Sequence, residues 1–488
     1  IYSCSISLLI ETSNIDARII FENIVFRQAD FIIQGAFILF RNVIFESVVL
    51  KDFIDSGFLI SHNVYIELFN TTWLDFPQTG RANPRNMIAL ASLPSIHLHI
   101  NNTEFSTTHF IFQCYHCAIK FLNTKYTGTP EYLYCKAIIC LGKPESYHWF
   151  KTGNNFHFDQ IFVSGVLSEK SPSFIGVYLS NAVIKIFHSY FTNMSQIVTI
   201  HAKEIFHNVY ILHLSFFDNI FKSCQSHKNG GIINIIIVKN LVVWANVTIV
   251  SCRFYDNSAQ QGGVAYIIAK KYPQFNRNRV LVFFKNCSFI NNIAKKQAGS
   301  LYIGKYISVI ILKSLFYCSH KMSSTFDAGI FIICFGSVKM GNVTMLLETL
   351  AFNSLHSLFK VNPEVEGRNE TVMDILQICP AWHYGSWLVN FDNKTGLSLI
   401  IANCYLCSYV MYSTISNEFI ITYNQARRPA MNINNGLNID SEVKYCANCP
   451  YGSTCINGKP VPNVGFWGMR EGGNLVFYQC PSRYCCAG

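Results

Sequence analysis

Charged residues are scarce in this chain. Only 14% of its 488 residues are Asp, Glu, Lys or Arg, whereas an ordinary soluble domain carries roughly 25%. The 38 basic residues outnumber the 28 acidic ones, but they form no run longer than pairs such as Lys270 and Lys271. Because nucleic-acid-binding proteins gather their basic residues on one face or segment, this dispersed charge predicts no nucleic-acid partner.

Long uncharged apolar runs are also missing. Half of the residues are apolar and the mean hydropathy is +0.23, which excludes a low-complexity disordered chain. No stretch reaches the roughly 18 residues that a membrane-spanning helix needs, since the best candidate, 231–250, is interrupted by Lys239 and Asn240. No secretory signal pattern follows Ile1, so we expect that segment to be absent or already removed, and any membrane anchor to lie beyond Gly488.

Helical periodicity is absent, and a short strand-like phrase recurs instead. Each copy is an alternating apolar run, a small or polar pair, an aromatic residue and often Asn, most clearly in 247–257 and 282–292. Successive anchors lie 19 to 37 residues apart, with one gap of 54, and periods of about 20–50 residues indicate a solenoid or a propeller. The predicted anchors are Phe26, Phe45, Leu74, Phe105, Tyr126, Phe162, Phe191, Phe217, Phe254, Phe289, Phe316, Phe352 and Leu406.

The spacing favours a solenoid over a propeller. A propeller blade needs about 40 residues and hairpin turns, and this chain has shorter, uneven repeats with few Asn-Gly or Asp-Gly pairs. We therefore predict an all-β fold, a right-handed parallel β-helix of about a dozen coils over 1–440, followed by a small disulfide-rich module over 441–488. Coils stacked about 4.8 Å apart would make a rod about 60 Å long.

The motifs within the repeats resemble those of known β-helix proteins. Phe254 to Asn257 followed by Gly262-Gly263 is similar to the FxxN and GGA[ILV] repeats of polymorphic outer-membrane proteins, whose passenger domains have a pectin-lyase-like β-helix. Phe216 to Asn219 with Gly230-Gly231, and Phe289 to Asn292 with Ala298-Gly299, form two further copies. Asn at such a turn can bond to neighbouring coils, and the Gly pair can supply positive φ or a close backbone approach.

The 19 cysteines predict an oxidising compartment. Six of them crowd the tail, which has few apolar residues and so requires cross-links in place of a core. Zinc is the rival interpretation of Cys446-x-x-Cys449, but no second ligand pair completes a site. The tail resembles the CxxCPxGxxC turns of EGF-like and ephrin-receptor-like modules, which implies a piece of a multi-module surface protein. The tail cysteines are Cys446, Cys449, Cys455, Cys480, Cys485 and Cys486.

Further cysteines are candidates for bridges within the rod. Cys135 and Cys140 are expected to close a small loop, and Cys404 to pair with Cys407, unless either pairs with Cys379. Cys252 and Cys287 occupy equal places in adjacent coils, so they either form a disulfide or pack as buried thiols. Cys114 and Cys117 flank Tyr115 and His116, where a disulfide is favoured over a metal site or a Cys–His nucleophile.

Eight N-x-S/T sequons favour an extracellular glycoprotein. Chance alone would give roughly five or six in so Asn-rich a chain, so the cysteines and sequons are read together. We expect N-linked glycans on Asn70, Asn101, Asn193, Asn246, Asn286, Asn342, Asn369 and Asn393.

Catalytic signatures are lacking. Polysaccharide-cleaving enzymes need two or three carboxylates close together, which in stacked coils would recur at equal positions. Only Asp218 and Asp256 do so, each just before a turn Asn, where turn stabilisation is the simpler interpretation. No GxSxG, P-loop, HExxH or GxGxxG motif is present, so we predict no enzyme, cofactor or metal.

These observations lead to one functional prediction with two alternatives. We predict an extracellular glycosylated structural or adhesive rod, whose partners are copies of itself or other extracellular proteins and which could assemble into surface filaments. The ectodomain of a membrane receptor and a carbohydrate-binding or carbohydrate-cleaving β-helix protein are the alternatives.

Overall fold

The protein was analysed as a computed structural model. It describes residues 6–11, 18–27, 29–34, 37–46, 49–52, 64–74, 87–90, 96–106, 111–114, 117–128, 137–141, 154–165, 173–178, 182–202, 209–237, 242–269, 279–304, 307–318, 330–332, 338–347, 359–361, 371–379, 383–392, 397–407, 411–413, 418–424, 446–456, 459–471 and 474–481.

Every regular element in these ranges is a β-strand. The strands are β1 (Ile6–Glu11), β2 (Arg18–Glu22), β3 (Val25–Arg27), β4 (Ala29–Gln34), β5 (Phe37–Arg41), β6 (Ile44–Glu46), β7 (Val49–Asp52), β8 (Val64–Phe69), β9 (Thr72–Leu74), β10 (Met87–Leu90), β11 (Ile96–Asn101), β12 (Glu104–Ser106), β13 (Ile111–Cys114), β14 (Cys117–Leu122), β15 (Lys125–Gly128), β16 (Ala137–Leu141), β17 (Asn154–Asp159), β18 (Phe162–Gly165), β19 (Ser173–Tyr178), β20 (Ala182–Phe187), β21 (Tyr190–Thr192), β22 (Gln196–Ala202), β23 (Val209–Phe217), β24 (Ile220–Lys222), β25 (Ile233–Ile237), β26 (Val242–Val250), β27 (Arg253–Tyr255), β28 (Ser258–Gln261), β29 (Ala265–Ala269), β30 (Arg279–Lys285), β31 (Ser288–Ile290), β32 (Ile293–Gln297), β33 (Leu301–Ile303), β34 (Ile307–Leu312), β35 (Leu315–Cys318), β36 (Ile330–Ile332), β37 (Val338–Leu347), β38 (Phe359–Val361), β39 (Thr371–Ile378), β40 (His383–Asp392), β41 (Leu397–Leu406), β42 (Met411–Ser413), β43 (Glu418–Asn424), β44 (Cys446–Asn448), β45 (Ser453–Ile456), β46 (Lys459–Pro462), β47 (Phe466–Glu471) and β48 (Asn474–Gln479).

The strands stack into a parallel β-helix, which confirms the predicted fold class. One sheet has 15 strands, in the order β1-β4-β7-β10 and onward to β38-β41-β40. The other has 25 strands, because most coils contribute a long strand and then a short one, as β2 and β3 or β26 and β27 do. Pairing is parallel through both sheets until β41, β40 and β43, which pair antiparallel at the C-terminal end.

A column of rings fills the interior where the short strands meet. In a three-residue strand the middle side chain points inward, and these residues lie in register from coil to coil. The ring centroids of Phe221 and Phe254 are 5.1 Å apart, those of Phe254 and Phe289 5.0 Å, and those of Phe289 and Phe316 4.3 Å. The predicted anchors Phe254 and Phe289 are thus core residues, 0% and 1% exposed.

Three predicted anchors are wrong, because a nearby residue occupies the inward-facing position in each case. Trp73, not Leu74, pairs with Phe45, and Val163, not Phe162, pairs with Tyr126. Phe221, not Phe217, pairs with Phe254, because Phe217 ends the preceding long strand. Leu406 lies on antiparallel β41, and Phe352 lies outside the described residues.

A two-residue corner separates the long and short strands of each coil. Its first residue has a positive φ and its second residue turns inward, and Asn is the non-glycine residue best suited to this backbone. Successive Asn side chains bond to one another: Nδ2 of Asn42, Asn70 and Asn102 each donates to the Oδ1 of the Asn one coil earlier, at 3.0, 2.7 and 3.0 Å. The first corner residues are Asn23, Asn42, Asn70, Asn102, Asn123, Gln160, His188, Asp218, Ser251, Asn286 and Lys313.

The FxxN and Gly-pair motifs have the roles that the sequence predicts. Nδ2 of Asn257 donates to the Phe221 carbonyl at 3.2 Å, and its Oδ1 accepts from the Cys224 amide at 3.0 Å, so this buried amide joins two coils. Gly262 has φ +62°, and a Cβ on Gly263 would overlap the carbonyl oxygen of Gly299. Asn219 differs from Asn257 in its place in the coil. Asn219 lies in the corner before a short strand, β24, whereas Asn257 lies in a second corner, after the short strand β27.

The Cys-rich tail is joined to the last strands of the rod. β42 pairs antiparallel with β44, and a disulfide connects Cys407 to Cys446 across a Cα–Cα distance of 5.7 Å. Two hairpins follow, β45 with β46 and β47 with β48, and Cys449 is bonded to Cys455. The expected domain boundary at 440/441 lies outside the described residues.

Candidate functional site

The candidate site lies on the outer face of the long strands. Alternate residues of a strand point outward, and parallel register places the outward residue of each coil beside that of the next. Equal positions therefore form columns that run along the rod with a step of about 4.8 Å. A type of side chain that recurs in successive positions of a column is therefore repeated along the rod at that interval.

One column carries three basic side chains in succession, Lys120, His157 and Lys185, which we name the basic strip; it consists of two lysines with a titratable histidine between them. Lys120 on β14 pairs with His157 on β17, and His157 pairs with Lys185 on β20. The two lysines are exposed and the histidine is half-buried. Like charges placed directly side by side in a sheet repel each other, so the two lysines disfavour the protonated form of His157 between them.

The strip is only partly neutralised. Among the described side chains, neither Lys120 nor Lys185 has a carboxylate within ion-pair distance. Burial lowers the pKa of His157 below 6.5, and Lys120 and Lys185 lower it further, against the opposing effect of Asp159. Asp159 is itself occupied, since its Oδ1 lies 3.0 Å from Nδ1 of His188.

Histidine and glutamate continue the same column toward the N-terminus. His99 pairs with Lys120 one coil earlier and Glu67 pairs with His99, with 4.0 Å between Nδ1 of His99 and Oε1 of Glu67. Toward the C-terminus the column becomes neutral at Ser215. The basic strip therefore has defined ends.

Aromatic pairs flank the strip on the same outer face. The rings of Phe187 and Phe217 stack at 5.2 Å in the neighbouring column, and His157 lies 5.1 Å from Phe187. Phe162 and Tyr190, on the short strands β18 and β21 beyond the corner, stack at 5.4 Å. Because each ring turns its face to the next coil, mainly the ring edges point outward. Edges carry positive charge density, so these pairs favour anions more than they offer faces for sugar stacking.

The described sequons lie on the outside of the coils. Asn70, Asn193 and Asn286 are exposed residues at corners with positive φ, and Asn246 is exposed on β26. Asn101 is half-buried at the end of β11. The side chain of Asn342, and Asn369 and Asn393 altogether, lie outside the described residues.

The cysteines of the rod differ from several expectations. Cys252 and Cys287 are buried free thiols, not a disulfide, and each donates to the carbonyl two residues earlier, at 3.3 and 3.4 Å. Burial raises their pKa values to about 12 and about 11. Cys407 bonds to Cys446, so the predicted Cys404–Cys407 bridge is wrong.

The other cysteines are described only in part. Cys379 and Cys480 are disulfide-bonded. Cys114 ends β13, Cys117 begins β14 and Cys140 lies on β16, but their side chains are not described, and Cys135, Cys485 and Cys486 lie outside the described residues. Cys404 lies on β41, opposite Gly385.

Metal and membrane features were also sought in the described part of the chain. No group of three or more His, Cys, Asp or Glu side chains is arranged there to hold a metal ion. No helix long and apolar enough to cross a membrane occurs in those ranges.

Comparisons with known proteins do not assign the chain to a family. No protein-family model matches it, and no curated protein and no solved structure gives a match. The fold and the surface are therefore the basis for a functional proposal.

Sequence reasoning missed the basic strip. Lys120, His157 and Lys185 are 37 and 28 residues apart in the chain, and only the register of three coils makes them neighbours. The available signal was the alternation of polar and apolar residues in 118–122, 155–159 and 183–187, which shows that the three side chains share a face once the coils are aligned on their corners.

Proposed function

We propose that the chain is an extracellular glycosylated adhesive or structural protein, a rigid β-helix rod that presents the outer face of its long strands to a partner. The observation that carries this proposal is the in-register outer surface, where side chains at equal positions of successive coils form columns, among them the basic strip and the stacked aromatic pairs. A surface of this kind suits an extended partner rather than a small molecule held in a cleft.

The disulfides support the extracellular location. Cys407–Cys446 and Cys449–Cys455 are bonds of the kind that form and persist in oxidising compartments. The exposed corner sequons agree with glycosylation, because a glycan on such an Asn points away from the core. The resemblance of the tail to EGF-like modules supports a place among multi-module surface proteins.

Secretion of the chain from eukaryotic cells tests this proposal. We expect rods in electron micrographs, a mass loss on treatment with an N-glycosidase, and attachment of cells or matrix fragments to a surface coated with the rods. Globular particles, an unchanged mass and coated surfaces that retain no more material than albumin would contradict it.

A further inference from the structure

We propose that the basic strip, Lys120, His157 and Lys185, binds a linear sulfated polysaccharide laid along the rod axis. This inference rests on the proposed adhesive function, because it names the ligand that the outer face would hold. The three side chains lie on successive parallel strands, with Lys120 beside His157 and His157 beside Lys185.

Charge is the first argument for an anionic ligand. Lys120 and Lys185 lie on either side of His157, two steps of about 4.8 Å apart, and His157 adds a third charge when it binds a proton. Neither lysine has a carboxylate partner among the described residues, and Asp159, the carboxylate that acts on His157, already contacts His188. An anionic chain would be attracted to both lysines, and to His157 once that side chain is protonated.

The width of the strip argues for a single flexible chain. It is one side chain across, and small or short residues, Ala118, Asn155 and Val183, border it on one side. A double-stranded nucleic acid needs cationic groups spread over a much wider surface. A linear polysaccharide can instead follow the strip with one anionic group for each coil.

The chemistry of the three side chains favours sulfate over carboxylate groups. The ammonium groups of Lys120 and Lys185 act as point charges, whereas the two-pronged recognition of a carboxylate is the speciality of Arg, and the strip contains none. The described sequons of the long strands lie outside the strip: Asn101 is one coil before Lys120 and Asn246 is two coils after Lys185.

Binding of dextran sulfate to immobilised full-length chain tests the assignment. The strip variant Lys120→Gln/Lys185→Gln and the control variant Lys222→Gln/Lys313→Gln lose the same net charge from exposed lysines. We expect the strip variant to bind dextran sulfate at least tenfold more weakly than the native chain, and the control variant to change less than twofold. Equal losses in both variants would overturn the proposal, because they would show attraction to the overall charge of +10 alone.

Three further ligands separate the classes of partner. We expect no binding of neutral dextran and weaker binding of polygalacturonate and of duplex DNA at equal charge concentration. DNA binding as tight as that of dextran sulfate and equally sensitive to the strip variant would overturn the assignment to a polysaccharide, and equal binding of polygalacturonate would overturn the assignment to sulfate. Melting temperatures equal to that of the native chain would show that the variants are folded. If the double variant is unstable, the single variant Lys185→Ala replaces it.

The pH dependence gives an independent readout on His157. The charged and titratable groups that face it are Lys120 on β14, Lys185 on β20 and Asp159 on its own strand, with His188 contacting Asp159. Dextran sulfate should bind more tightly as the pH falls from 7.5 to 5.5, and this increase should be smaller in His157→Gln. An increase of equal size in both proteins would contradict a role for His157.

The outcomes for the ligand and for the proposed function are distinguishable. If the native rod attaches cells and the strip variant attaches them equally well, the adhesive function stands and the strip assignment fails. If dextran sulfate binding follows the strip but coated rods attach nothing, the ligand assignment stands and the adhesive function fails.

Discussion

At the scale of single residues, the interior ring column carries the stability of each coil. Phe289 is 1% exposed and stacks between Phe254 at 5.0 Å and Phe316 at 4.3 Å. Phe289→Ala is expected to lower the free energy of unfolding by about 3–5 kcal/mol, because it removes burial and leaves a cavity between two rings. Chemical denaturation measures this, and Phe283→Ala, at an outward position of the preceding strand, is the control expected to cost much less.

Lys313 occupies a corner that prefers Asn. Its φ is 47°, and a non-glycine residue in this left-handed region is strained by roughly 1–2 kcal/mol, less so for Asn. Lys313→Asn should therefore raise the free energy of unfolding by up to about 1 kcal/mol, and its amide can extend the ladder toward Asn286.

The matched control at this corner is Lys313→Gln, which removes the same charge but keeps a residue poorly suited to positive φ. Thermal melts of the two variants separate the effects. If both were stabilised equally, charge rather than backbone conformation would be the cause.

His157 makes stability depend on pH. Its folded-state pKa lies below 6.5 because of burial and the two neighbouring lysines, so the unfolded chain binds the proton more readily. The contribution of neutral His157 to the free energy of unfolding is complete above pH 6.5, and it is lost as the pH falls from there through the folded-state pKa. Melting temperatures between pH 7.5 and 5 should fall less for His157→Gln than for the native chain, and identical slopes would contradict this.

At the scale of elements, the sequence predicts the kind of strand better than its register. Phe254 and Phe289 are identified correctly because Cys and Asn frame them at fixed distances in both copies. At Phe162 and Val163 both residues are apolar, so alternation alone does not decide which one faces inward. In the structure Val163 is buried and Phe162 stacks outside on Tyr190.

The second cause of error is that each coil turns twice. Asn219 and Asn257 both follow an Asp and both are buried, yet the first lies before a short strand and the second after one. A motif read along the chain cannot distinguish the two corners, because the loops between strands differ in length from coil to coil. The basic strip and the Cys407–Cys446 bond depend on such long-range register and were not predictable.

The buried thiols show how single strands can keep free cysteines in a chain that also contains disulfides. Cys224, Cys252 and Cys287 face the core, and burial raises the pKa of Cys224 to about 12. Thiols, not thiolates, are therefore present at pH 8, and these do not attack alkylating agents.

We expect iodoacetamide at pH 8 to leave the peptides containing these three residues unmodified in the native chain. The same peptides should be modified after denaturation, which is the control for their detection by mass spectrometry. Modification of Cys252 or Cys287 in the native chain would show that the corner opens.

At the scale of the whole molecule, the rod and the tail depend on different forces. The rod has a continuous apolar core from Ile38 to Ile375, whereas the tail relies on Cys407–Cys446 and Cys449–Cys455. The bond between Cys407 and Cys446 closes a loop with a sequence separation of 39, which corresponds to about 4 kcal/mol in the chain-entropy model.

Mild reduction followed by limited proteolysis should remove the tail near residue 440 and leave a resistant rod. Cys407→Ser should weaken the attachment of the tail without reductant, which makes it the specific control. Loss of the rod together with the tail would show that disulfides also hold the coils together. Protection of the reduced tail by zinc, reversed by a chelator, would favour a metal site there.

The direction of the backbone hydrogen bonds determines how the rod bears mechanical load. Bonds such as Asn42 N–H to the Phe69 carbonyl connect one coil to the next, so they lie along the rod axis. Tension applied at the two ends loads the interfaces between coils in series, and the weakest interface separates first. Each coil that detaches frees about 30 residues, or about 100 Å of chain. A tethered rod would thus lengthen in a series of small force steps and absorb pulling as an extensible spring.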